Sequence, residues 1–165
     1  MTIAPIIKTV VVKTPPPRAF DLFTGSMGQW WPRGATIGAH PHEAIVIEPR
    51  VGGRWYEADA DGVKSLWGEV LAWEPPTRLL LGWKLNSRFA YDPGLLTEVE
   101  LTFAPQAGGR TLVTLEHRHL ERLGVDAART AEQLGDGWPA RLQNFVDFTG
   151  DAATSAAGRE EGARP

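Results

Sequence analysis

The chain has 165 residues, 42% of them hydrophobic and 22% charged, with no cysteine and a formal net charge of −3. That length suits one domain with a sizeable core, and the composition is that of an ordinary globular protein. The lack of cysteine excludes disulfides and thiolate-held zinc or iron–sulfur centres, and the mild negative charge gives no general attraction to nucleic acid or to an anionic membrane surface.

Ile6 to Lys13, "IIKTVVVK", is β-branched and reads as a first strand. Lys8 and Lys13 break its apolar run, and no basic segment followed by an apolar core precedes it, so no signal peptide is expected. No stretch approaches the roughly 20 apolar residues of a membrane span. Cytoplasmic location is therefore the default expectation. Pro15, Pro16 and Pro17 suit the opening of a helix, with Thr14 as its cap. Ala19, Phe20, Leu22 and Phe23 fit one or two helical turns, which Gly25 ends. "SMGQWW" gives a second short turn, and "PRGATIGAHPH" reads as a loop.

From Glu43 the pattern turns to strands. "EAIVIEP" is followed by "GGRWYEAD", which the turn signal "DADG" closes. The Gly52-Gly53 pair is not a phosphate loop, because a strand pattern rather than a helix follows it; a bend or bulge into a curved sheet is expected. Alternation puts Trp55 and Glu57 on one face, Arg54 and Tyr56 on the other. In "VKSLWGEVLAWE", Trp67 and Trp73 fall opposite Leu66 and Val70 unless a bulge reverses part of the strand. "TRLLLGWKL" lines up Leu79, Leu81, Trp83 and Leu85, and a loop runs from Asn86 to Gly94. "LTEVELTFAP" sets Val99, Leu101 and Phe103 against Glu98, Glu100 and Thr102; "TLVTLEHRHL" sets Val113, Leu115 and His117 on one face.

After Gly124 the pattern is helical. Asp126 is a cap for "AARTAEQL", Gly135-Asp136-Gly137 an interruption, and "WPARLQNFVDFT" a second helix with Pro139 in its first turn. Trp138, Leu142, Phe145 and Thr149 form its apolar stripe. Residues 150–165 are small, polar and aperiodic, so they read as a disordered tail after a domain of residues 1–149.

Strand, two short helices, about six antiparallel strands and a C-terminal helix make an α+β fold: a curved antiparallel sheet wrapped around one helix. One helix does not fill such a sheet, and a cavity is the expected remainder. The count of seven tryptophans fits an aromatic-lined one. Alternation extends the apolar Val113–Leu115 face to His117 and keeps Glu57 on the face of Trp55; a carboxylate turned inward there needs a partner. A Glu57–His117 pair is the expectation, with the histidine pKa raised by the carboxylate. A histidine on an apolar face is also commonly a satisfied core residue. His117 and His119 lack a third ligand, and His40 and His42 lie in a loop, so no metal is expected.

The segments "VVVKTPPPRAFDLFT", "EPRVGGRWYE", "WGEVLAWEPPTRLLLGW", "TEVELTF", "VTLEHRHLERLG" and "GWPARLQNF" together resemble the START-like, or SRPBCC, helix-grip superfamily. The branch they resemble is the one related to the activator of heat-shock-protein-90 ATPase. The resemblance implies a sheet gripping the C-terminal helix over an apolar cavity. It turns the aromatic after "GGR" inward, sets Trp30 and Trp31 at one end of the cavity and lays Trp138 over it. The expected ligand-binding residues are Trp30, Trp31, Trp55, Glu57, Trp83, His117, Trp138 and Phe145. Members of the superfamily include lipid carriers, polyketide cyclases, aromatases and co-chaperones. Non-enzymatic binding of a small hydrophobic or aromatic molecule is the leading expectation. The alternatives are a cyclase, dehydratase or hydrolase using Glu57 and His117 as acid and base, and a co-chaperone-like protein binding a chaperone partner. No nucleophile motif or cofactor fingerprint is present, so no cofactor and no catalytic residue is assigned, and neither nucleic acid nor membrane is an expected partner.

Overall fold

The computed structural model describes residues 2–162, with side chains described through residue 150. Seven antiparallel strands form one curled sheet in the order β1-β7-β6-β5-β4-β3-β2. They are β1 (Ile6–Val12), β2 (His42–Ile47), β3 (Arg54–Asp59), β4 (Lys64–Glu74), β5 (Arg78–Trp83), β6 (Thr97–Gln106) and β7 (Arg110–Arg118). Helices α1 (Pro16–Gly25) and α2 (Met27–Trp30) connect β1 to β2, and a 3-10 turn (Leu120–Asp126) leads into α3 (Ala127–Gly162). The half-barrel grips α3, as the alternation and the apolar stripe require. No described helix is long and apolar enough to cross a membrane.

The prolines open α1, with Pro15 rather than Thr14 at the N-cap and no side-chain capping bond. Pro16 occupies a first-turn position, where its missing N–H costs nothing. The Thr14 carbonyl instead accepts a bond of 2.7 Å from the buried Thr111 hydroxyl and ties the start of α1 to β7. Phe20 and Phe23 of α1 meet Phe103 edge-on at 5.3 and 6.0 Å, and Phe23 meets Phe145 of α3 at 5.2 Å. These rings join sheet, α1 and α3 into one core.

Strand β4 departs from simple alternation twice. Trp55 pairs with Gly68 and Tyr56 with Leu66, so Trp67 is an extra residue with no partner opposite. Val70 pairs with Leu81 and Ala72 with Leu80, so Leu71 is a second. Each bulge resets the alternation and bends the strand. Trp67 and Val70 are consequently both buried, Trp73 meets Phe20 at 5.0 Å, and Leu66 is exposed. Trp67 and Trp73 are thus on the same side as Val70. Where β4 crosses β5, a Cβ on Gly68 would lie 1.7 Å from the Gly82 carbonyl oxygen, so only glycine permits this approach of the two backbones.

Helix α3 is continuous across Gly135-Asp136-Gly137, and Pro139 lies inside it. The expected interruption is absent because packing overrides local propensity: Leu134, Trp138, Leu142 and Phe145 are all buried on the same side. The helix also continues to Gly162, past the boundary at residue 150 expected from composition. Residues 163–165 lie outside the described residues.

Candidate functional site

Six of the seven tryptophans touch one another. Four of them, Trp31, Trp67, Trp83 and Trp138, close a circuit with centroid separations of 5.2, 6.3, 5.8 and 5.7 Å around the ring. Each comes from a different element: Trp31 follows α2, Trp67 sits on the β4 bulge, Trp83 ends β5 and Trp138 belongs to α3. Beside this circuit is a cavity of about 260 Å³, lined by Trp31, Trp67, Trp83, Ala35, Thr36, Ile37, Leu85, Phe89 and Arg141. A recess of about 50 Å³ adjoins it and adds Trp138, Leu134, Gln133 and Gly137 to the walls. The larger cavity is mainly apolar, with Thr36 and Arg141 as the hydroxyl-bearing and charged residues among its lining. This is the usual composition of a small-molecule site.

Phe89 is held at the mouth by a tight loop. The Asn86 side-chain oxygen accepts from the N–H groups of Arg88 and Ala90, at 2.9 and 3.1 Å. Asn86 N–H donates to the Ala90 carbonyl, and Leu85 bridges Tyr91. Phe89 takes a left-handed backbone conformation (φ 56°) and stays 39% exposed. A bulky residue in that conformation is uncommon and is characteristic of functional loops.

Glu57 points inward from β3 and is buried. Its carboxylate accepts from the Thr36 hydroxyl, from Ile37 N–H at 2.8 Å, from Gly38 N–H at 3.3 Å and from the Trp67 indole at 2.9 Å. It therefore staples the loop at residues 36–38 and the β4 bulge together. Both carry cavity-lining residues, so Glu57 shapes the wall from behind it.

His117 is fully buried and has a separate set of partners. The Trp138 indole N–H donates to Nδ1 at 3.2 Å, which places the ring proton on Nε2. Nε2 lies 2.9 Å from the Thr97 hydroxyl, which in turn donates to the Trp83 carbonyl at 3.1 Å. The imidazole is neutral and satisfied at both nitrogens. Burial lowers its pKa to about 3. This corrects the expected Glu57–His117 pair: both side chains face inward, yet each is consumed by other groups, and the histidine shifts down rather than up. His119 lies beyond the end of β7 in a left-handed conformation beside Glu98, so His117 and His119 do not converge.

The remaining expected residues divide clearly. Trp31 and Trp83 line the cavity and Trp138 lines the recess. Trp55 packs on Trp67 and Trp83 at 5.3 and 5.7 Å, behind the wall. Trp30 packs on Phe23 and Phe145 at 5.0 and 5.2 Å in the core near α1. Trp55, Glu57, His117 and Phe145 are not among the lining residues. Sequence reasoning missed Trp67, Phe89, Thr36, Ile37 and Arg141. For Arg141 a signal was present, since it stands three residues after Trp138 and four before Phe145, a charge on an otherwise apolar stripe.

A curled antiparallel sheet gripping a helix over an aromatic cavity defines a START-like, SRPBCC helix-grip protein. The chain belongs to the family described as "Activator of Hsp90 ATPase homolog 1-like protein", whose model matches residues 13–150. Among solved structures it is similar to an anthrahydroquino-gamma-pyrone synthase, Txn09, at 33% identity over 88% of this chain and 97% of that one (TM-score 0.64). It is also similar to CalC, a self-sacrificing resistance protein from Micromonospora echinospora, at 30% identity over 90% and 95% of the two chains (TM-score 0.70). Protein NE0264 from Nitrosomonas europaea, at 16% identity over 90% and 95% of the two chains, shares the fold (TM-score 0.65). Comparison with curated protein sequences finds no match.

Proposed function

We propose that the protein binds a small, flat hydrophobic or aromatic molecule in the cavity beside Trp31, Trp67 and Trp83, and acts as a carrier or sensor rather than a catalyst. One observation carries this reading: an aromatic-walled space of about 260 Å³ with few polar groups facing it. Flat ring systems suit such a wall, because offset and edge-on contacts between rings add to the burial of area. The two groups best suited to proton transfer are both committed. Glu57 accepts four hydrogen bonds behind the wall, and His117 is sealed among Trp83, Trp138 and Thr97. A general acid or base has to reach its proton directly or through one water.

The name of one relative, a pyrone synthase at 33% identity, agrees with a small-molecule ligand. The synthase also favours a second reading, in which this cavity orients a chain for ring closure. Calorimetric titration with 2-naphthamide, a neutral two-ring probe, tests the first reading. Saturable one-to-one binding is expected. Ala35→Phe, which fills the cavity from its loop, should weaken binding at least about tenfold, or roughly 1.4 kcal/mol, while the melting temperature stays the same. Absence of binding both by this probe and by 2-naphthoate, its anionic counterpart, or equal binding by the filled variant, overturns it. Native mass spectrometry of the purified protein would show a retained molecule intact under the first reading and a converted product under the second.

A further inference from the structure

We propose that the ligand of this cavity is an aromatic anion, whose carboxylate, sulfonate or ionised phenol pairs with Arg141 while its rings lie among Trp31, Trp67 and Trp83. The inference rests on the binding reading above and adds to it the charge of the ligand.

Three arginines are partly buried among the described residues: Arg78, Arg118 and Arg141. Arg78 pairs with Glu100 at 2.6 Å and Glu74 at 2.9 Å. Arg118 pairs with Glu116 at 2.9 Å, Glu98 at 3.0 Å and Glu100 at 3.2 Å. Arg141 reaches no carboxylate among the described residues. Among the described residues its one hydrogen bond runs from Nη1 to the Gly137 carbonyl of its own helix, at 3.1 Å. A guanidinium has five N–H donors, so most of its capacity is unused. Its charge is partly desolvated, and burial lowers its pKa, whereas their carboxylates raise those of Arg78 and Arg118. An unpaired cation in such a place is costly to the fold.

The guanidinium is also fixed in place. It lies over the Trp31 ring, 4.9 Å from its centroid, and Trp31 is itself held by an indole N–H bond of 3.0 Å to the Ala35 carbonyl. Arg141 lines both the cavity and the recess, so an anion on a bound ring would meet it in either. Indole faces alone would also suit a cation. The Arg141 charge at the same wall repels one, and this decides the sign.

Two probes of matched shape and opposite character test the proposal: 2-naphthoate, ionised at neutral pH, and uncharged 2-naphthamide. The wild type should bind the naphthoate about tenfold more tightly, in line with a charge-assisted hydrogen-bonded pair. In Arg141→Gln the ratio of the two affinities should fall to about one, and in Arg141→Lys, which keeps the charge, it should remain above one. Equal affinities in the wild type, or a preference that survives Arg141→Gln, overturn the anion while the binding reading stands. If neither probe binds the wild type, the binding reading falls and the anion with it.

Discussion

A neutral imidazole sealed in an apolar interior makes stability depend on pH in one direction. The folded-state pKa of His117 is lowered to about 3 by burial, from an ordinary value of 6.5. Between those values the unfolded chain holds one proton more than the folded one, so stability falls as pH falls below about 6.5. The loss from this residue between pH 7.5 and 5 is about 2 kcal/mol, at 1.36 kcal/mol per unit. Denaturant titrations at those two pH values should show it in the wild type. His117→Gln retains one acceptor and one donor but does not titrate, so it should lose that part of the slope; an unchanged slope would mean that the imidazole is not held neutral. Alternation predicted that His117 and Trp83 face inward and that Glu57 shares the face of Trp55, which the family resemblance turned inward. It could not supply their partners. Those of Glu57 come from a glycine- and proline-rich loop with no periodicity and from the Trp67 indole on the β4 bulge, and those of His117 come from α3 and β6.

At the level of elements, the stripe on α3 does what its spacing predicts. Leu142 and Phe145 are buried against the rest of the core, at 1% and 0% exposure. Leu142→Ala should cost about 2–5 kcal/mol in denaturant unfolding, and a loss below roughly half a kcal/mol would show the helix to be undocked. Arg141, one residue away, sits beside this stripe with its guanidinium stacked over the Trp31 ring at the cavity wall. Two features of the elements were not legible. Gly135-Asp136-Gly137 read as a break and Pro139 as the first turn of a second helix, yet four buried side chains on one side hold one helix through them. A bulge in β4 was foreseen but could not be located, since an inserted residue looks like any other until its partner strands fix the register. Trp67, the most deeply placed wall of the cavity, was therefore left without a face.

For the whole molecule, the order of strands and helices was readable because each apolar pattern had one compatible neighbour in a meandering antiparallel sheet. The cavity was readable only as a mismatch between a curved sheet and a single helix. The C-terminal boundary is settled by truncation: removing the chain after Gly150 is expected to leave the melting temperature unchanged within error. A drop of about 2–4 °C, equivalent to about 1 kcal/mol in a domain of this size, would assign the end of α3 to the fold. The indole network has a consequence of a different kind. Trp30, Trp31, Trp55, Trp67, Trp83 and Trp138 form one connected set with neighbouring centroids no more than 6.3 Å apart. At such separations electronic excitation passes from ring to ring before it is emitted. Light absorbed anywhere in the set therefore leaves from whichever indole has the lowest excited state. Only Trp73, which meets Phe20 instead, stands apart from it. A molecule resting on Trp31 and Trp83 that absorbs at the indole emission energy would act as a sink for the whole antenna, so the protein's own ultraviolet emission would report such a ligand without any added dye.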